Sequence, residues 1–200
     1  MSAELTSIEK TFLLRLARES AQAALENRAV SPTAPGPDVA GPDSALLKPG
    51  ACFVTLKRRT AGHELRGCLG QLEPVEPLWQ SVARMAGATA TRDVRFSENP
   101  VRADELPSLK ISISVLHPKR SIATPLDFEL GQDGIIVEGL GAHASQRGVF
   151  LPQVATEYGW SKEQFLNACC SHKAGLSEDA WRDAERCRVW AFRSESIEEE

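Results

Sequence analysis

"ACFVTLKRR" (51–59) and "ELRGCLGQLE" (64–73) decide the fold. Both read as strands, and "TAGH" (60–63) between them reads as a turn, so the pair predicts a β-hairpin. The second strand is unusual, because it sets Cys68 between Gly67 and Leu69 with Gly70 just beyond. Glycine weakens a strand interior, and its presence marks a bulge or the close approach of a ligand or another backbone. Strict alternation puts Leu65, Gly67 and Leu69 on one face and Arg66, Cys68 and Gly70 on the other. With the leucines toward the core, Arg66 and Cys68 turn away from it together. A guanidinium beside a thiol favours the thiolate, the reactive form. The competing reading is a buried, inert cysteine with Arg66 in a structural ion pair.

Outward from the hairpin, "TSIEKTFLLRLARESAQAALENR" (6–28) predicts a long helix. Thr6 and Glu9 have capping-box spacing, and Ile8, Phe12 and Leu16 form its apolar stripe. Residues 29–45 carry four prolines and two glycines and read as an irregular connection, either mobile or pinned across the surface. "EPLWQSVARMAGATATRD" (76–93) predicts a helix, and "LKISISVLHP" (109–118) a strand alternating Ile111, Ile113 and Val115 with Ser112 and Ser114. "GIIVEG" (134–139) reads as a strand, and "GVFLPQVATEYGW" (148–160) as a strand end entering a helix at Pro152. "SKEQFLNACCSHKAG" (161–175) reads as a helix closed by Gly175, "SEDAWRDAE" (177–185) as a short helix and "CRVWAFRS" (187–194) as a last strand. The acidic end, 195–200, is expected to fray. Strands do not alternate regularly with helices, so the expected class is α+β with a mainly antiparallel sheet flanked by helices.

The 200 residues suffice for one domain with a substantial core, and a net charge of −4 argues against a duplex nucleic-acid binder while leaving room for a local basic cleft. No apolar run approaches membrane-spanning length, and "MSAELTSIEK" lacks a signal pattern, so the expectation is a cytoplasmic protein without membrane attachment. Five cysteines, an odd number with no CxxC pair, argue against a disulfide framework or a zinc ribbon. Cys169 and His172 have i, i+3 spacing but make only two ligands, so no metal site is expected, and nothing in the chain calls for a cofactor. Gln153 and Glu157 share a helix face, and Lys173 precedes a helix-ending glycine; each is a candidate ligand contact or an ordinary solvated residue.

In order, "FVTLKRR", "LRGCLGQLEP", "DVRF", "ISISVLHP", "LGQDGIIVEG", "RGVFLPQVATEYGW", "FLNACCSHKAGL" and "AFRSESIEE" resemble the AMMECR domain family, the A component of the AmmeMemoRadiSam system. The hallmark written LRGCIG in that family has Leu69 in place of Ile here. The resemblance implies one AMMECR-type domain over 1–200, in two unequal lobes, the larger built from both chain ends, with a cleft between them near the hallmark. It implies Memo-type and radical SAM proteins as partners and allows a nucleotide or nucleic acid as ligand. It supplies no reaction and no oligomeric state. Two readings follow. In the first, an enzyme uses Cys68 as nucleophile or covalent carrier, with Glu157 and Lys173 as catalytic partners and Arg66, Gly67, Gly70 and Gln153 binding substrate in nucleotide, base or small-metabolite modification. In the second, a non-catalytic module binds a peptide, nucleotide or protein through the same cleft.

Overall fold

The computed structural model describes residues 4–29, 31–60 and 62–200. The described chain forms two compact units, Met1–Leu116 with Glu195–Glu200, and His117–Ser194. The class is α+β, the strand pairings described are antiparallel, and the larger unit takes in both chain ends, as expected.

In the larger unit, α1 (Ser7–Leu25) starts at a capping box: the Thr6 hydroxyl accepts from Glu9 N, and the Glu9 carboxylate accepts from Thr6 N. Phe12, Leu13, Leu16, Ala17 and Ala21 are buried, but Ile8 is exposed and drops out of the predicted stripe. In the first turn of the helix, that position lies outside the buried arc. Of the 29–45 connection, in which Val30 lies outside the described residues, the later part is pinned: Ala40 is buried, and the Ser44 hydroxyl bonds Glu9. The sheet of this unit runs β2–β1–β3, with β1 (Ala51–Arg58) central, β2 (Leu65–Gly70) at its edge, and β3 (Leu109–Leu116). Ala61 in the predicted hairpin turn lies outside the described residues. Cys52, Val54, Leu56, Leu109, Ile111 and Ile113 are completely buried. They form one core with α1 and with α2 (Leu78–Arg92), which brings Leu78, Val82 and Ala86.

The smaller unit holds β4 (Arg120–Ser121), β5 (Asp133–Gly139) and β6 (Arg147–Phe150), then α3 (Pro152–Tyr158), α4 (Lys162–Ala168) and most of β7 (Cys187–Glu198). The predicted helix over 161–175 is divided: α4 gives way to a π-helical stretch, Cys169–Ala174, closed by Gly175 at φ 69°. That stretch lies against β6, where a Cβ on Gly148 would sit 2.7 Å from Ala174 N and 2.8 Å from Cys169 O. The widened turn brings Cys169 and Cys170 both into the core and leaves His172 exposed, so the pair considered for metal ligation points to different surroundings. The predicted helix over 177–185 contracts to a 3-10 turn, Ala180–Arg182.

The acidic end corrects the expectation of a frayed tail. β7 continues to Glu198, Ile197 is buried, and Glu199 N donates to Ile111 O at 3.0 Å. The Glu199 carboxylate accepts from Arg18 and from Ile111 N, and Glu195 pairs with Lys10 at 2.8 Å. These carboxylates find cations and a free strand N–H in their own unit, so charge ties the segment down. Among the described residues, no helix is long and apolar enough to cross a membrane.

Candidate functional site

The hallmark strand departs from simple alternation at one residue. Leu56 pairs with Gly67 but Lys57 pairs with Leu65, so Arg66 is an extra residue in β2, a β-bulge. The bulge breaks the face-sharing expected of Arg66 and Cys68. Arg66 is 2% exposed; Nε and Nη2 donate to Glu105 at 2.8 and 3.0 Å, and Nη2 also donates to Pro100 O. Its guanidinium lies 5.7 Å from the Phe96 ring centre. The Arg66 hydrogen bonds hold the Glu105 carboxyl below the usual range despite partial burial, and Arg58, 2.9 Å away, adds to the effect. The arginine chosen as substrate-binding from the sequence is therefore a structural counter-charge.

Beyond the bulge, alternation resumes. Cys68 stands opposite Thr55, and the Thr55 hydroxyl donates to its Sγ at 3.3 Å. Thr55 is in turn opposite Ser112, so Cys68, Thr55 and Ser112 form one row across three strands on the face away from the core. The neighbouring row is Gly70, Phe53 and Ser114. All of these except the buried Ser114 are half-buried.

The main chain of Cys68 is clamped from the free edge of β2. Its N–H donates to Asp93 Oδ2 at 2.8 Å, and its carbonyl accepts from Arg95 Nη2 at 3.0 Å. Asp93 and Arg95 also pair with each other at 2.7 Å, so the two side chains replace a missing neighbour strand. Burial would raise the Asp93 carboxyl, but the bonds from Arg95 and Cys68 N–H outweigh it and hold the group below its ordinary value. Arg95 is shifted upward, first by its hydrogen bond to Asp93 and further by the nearby Cys68 thiol. The guanidinium beside Cys68 thus belongs to Arg95. Sequence reasoning missed Arg95, Asp93 and Thr55 as site residues. The signal was the Asp-x-Arg of "DVRF", in which Asp93 also caps the 3-10 turn Val94–Phe96.

The glycines serve packing. A Cβ on Gly67 would lie 2.7 Å from Thr89 O of α2, and one on Gly70 would lie 2.3 Å from the Phe53 ring. Protein atoms, rather than an opening for substrate, occupy the space beside them. Gln153 and Glu157 are exposed on α3, and the exposed Lys173 lies 5.5 Å from the Phe150 ring centre. These three belong to the smaller unit, whereas Arg66, Gly67, Cys68 and Gly70 belong to the larger.

All five cysteines are free, and only Cys68 is not buried. Burial pushes the Cys52 and Cys169 thiols up to about 12. Cys170 is raised by its hydrogen bond to Cys187 and by burial; the same bond lowers Cys187, itself buried. Among the described residues, no group of three His, Cys, Asp or Glu side chains is placed to hold a metal ion.

Comparison with known proteins bears on the whole chain. The chain is 36% identical over 205 residues to a protein of Thermofilum pendens, covering 96% of this chain and 90% of that one. It is 38% identical over 197 residues to a protein of Thermococcus gammatolerans, covering 94% and 89% respectively. The crystal structure of the uncharacterised protein PH0010 from Pyrococcus horikoshii superposes with a TM-score of 0.83 at 34% identity, covering 98% of this chain and 94% of that one. The AMMECR1 family model matches residues 14–197, and the chain belongs to the AMMECR1 family.

Proposed function

We propose that this protein is an enzyme in which Cys68 is the nucleophile or covalent carrier. The observation that carries the reading is its setting: a half-buried thiol that accepts from the Thr55 hydroxyl, on a main chain clamped by Asp93 and Arg95. The thiolate is the attacking form of cysteine, and a hydroxyl donor and a guanidinium are groups that stabilise negative sulfur. In the reaction a bond forms from Sγ to an electrophilic centre, the leaving group departs with its electron pair, and the thiol proton passes to solvent. Strand β2 fixes the thiol because every polar atom of the Cys68 main chain on the free edge has a partner. Five free thiols favour a reducing compartment and so a cytoplasmic setting. The resemblance in sequence supports Memo-type and radical SAM proteins as partners in nucleotide, base or small-metabolite modification.

A second reading, a non-catalytic module binding through the same face, is favoured by one observation. Arg66, the one charged residue of the hallmark, is buried and consumed by Glu105, which leaves it no catalytic role. Alkylation rates separate the readings. The second-order rate of Cys68 with iodoacetamide is expected to fall roughly threefold or more in Arg95→Met, from loss of one nearby charge. Thr55→Val should slow it as well. Wild-type rates in both variants would overturn the nucleophile reading.

A further inference from the structure

Cys169, Cys170 and Cys187 lie in the core of the smaller unit, and two of these thiols are hydrogen-bonded to each other. Cys170 and Cys187 are 0% and 4% exposed. The Cys170 thiol donates to the Cys187 sulfur, and the Cys170 sulfur accepts from the main-chain N–H of Trp181. Two separate features of the fold bring the pair together. The π-helical stretch Cys169–Ala174 turns two successive cysteines inward, and Cys187 is the first residue of β7. Between them, the 3-10 turn Ala180–Arg182 is pinned by Trp181, which is buried and whose indole N–H donates to Asn167 Oδ1 at 2.6 Å. A buried free cysteine ordinarily packs as a small hydrophobe, a role that calls for no second sulfur beside it. A disulfide holds its Cβ atoms about 3.8 Å apart, so two thiols already in hydrogen-bond contact are within reach of one. Residues 182–186, just before Cys187, are exposed, so the second sulfur stands next to the surface from which a water-sized reagent arrives.

We infer that Cys170 and Cys187 are a redox couple, closed by a peroxide to an intramolecular disulfide that staples residues 171–186, and reopened by a dithiol reductant. The inference is independent of the Cys68 reading. In the first step the Cys187 thiolate attacks one oxygen of hydrogen peroxide; the O–O bond breaks, and the departing hydroxide takes up the thiol proton as water. In the second the Cys170 sulfur attacks the sulfenic sulfur; the S–S bond forms, the S–O bond breaks, and the Cys170 proton leaves with the hydroxide as a second water. Two thiols lose two electrons, and one peroxide is reduced to two waters. The hydrogen bond from Cys170 lowers Cys187, which makes Cys187 the first of the pair to attack.

The test uses the full chain carrying Cys68→Ser, so that no exposed thiol bridges two molecules. The folded protein is treated with hydrogen peroxide, its remaining thiols are blocked with N-ethylmaleimide in denaturant, and its peptides are mapped by mass. The expected product links the peptide holding Cys169 and Cys170 to the one holding Cys187, with two hydrogens lost and both restored by dithiothreitol. The link should persist in Cys169→Ser and vanish in Cys170→Ser. Fragment-ion sequencing of the linked peptide makes the same distinction in a chain with no core substitution. The oxidised protein should melt roughly 5 °C or more above the reduced one, because a loop of about 16 residues stays closed in its unfolded chain. Cys187 left free after oxidation, or linked to Cys169, overturns the couple. An oxidised protein that melts below the reduced one also overturns it, since the link then forms only outside the native geometry.

Discussion

Arg66 and Cys68 are two residues apart, and the bulge between them gives them different work. Alternation read from the sequence placed them on one face, because that rule assumes a continuous ladder; the glycines of "LRGCLG" allowed a bulge there but did not say which residue is extra. Arg66 is buried in an ion pair with Glu105, whereas Cys68 is half-exposed. Removing Arg66 takes the buried partner from Glu105 and leaves it only the partly exposed Arg58, 2.9 Å away. Arg66→Met is therefore expected to cost about 3–5 kcal/mol of stability, while the double variant Arg66→Met, Glu105→Leu recovers most of it. Urea unfolding of the three proteins measures this. A double variant no more stable than Arg66→Met would show that the pair does more than balance charge.

At the level of elements, strong periodicity was legible and special geometry was not. α1, α2, β1, β3 and β5 stand where alternation or helical spacing put them, and the Thr6–Glu9 capping box is present as expected. The π-helical stretch and the docked acidic end were hidden for one shared reason: each depends on partners distant in sequence. Gly148 receives Cys169 and Ala174, and Arg18 receives Glu199. Gly67 belongs with these. It marks where the backbone of α2 meets β2, with Thr89 O 2.7 Å from any Cβ placed there and the Thr89 hydroxyl accepting from Leu69 N at 3.2 Å. A backbone carbonyl does not swing aside as a flexible side chain would. Gly67→Val should destabilise by about 1–3 kcal/mol, the range for forcing atoms into a packed core. An unchanged urea midpoint would show that α2 yields to the added methyl groups.

Across the molecule, the larger unit is held by carboxylates that ionise more readily folded than unfolded. Glu105 is lowered first by Arg66. Burial would raise Asp93 and Glu199, but hydrogen bonds from Arg95 and Arg18 with backbone N–H groups outweigh it. Because their folded values lie below the ordinary 3.8 for Asp and 4.5 for Glu, the unfolded chain binds more protons in acid. Their contribution is complete above the ordinary values and is lost as pH falls through the folded ones. The thermal midpoint should hold level from neutrality to about pH 5 and drop below it, less steeply in Glu105→Gln. A midpoint unchanged at pH 4 would remove these groups from the account. The same distribution of burial leaves one thiol of five half-exposed, and Cys52, Cys169, Cys170 and Cys187 closed in the cores. The most direct measurement is the order in which the five react when the intact, folded protein meets limiting iodoacetamide at pH 7, read by peptide mass mapping. The structure predicts that Cys68 is modified first and nearly alone. Modification of Cys52 or Cys187 ahead of it would contradict the claim that Cys68 is the reactive centre.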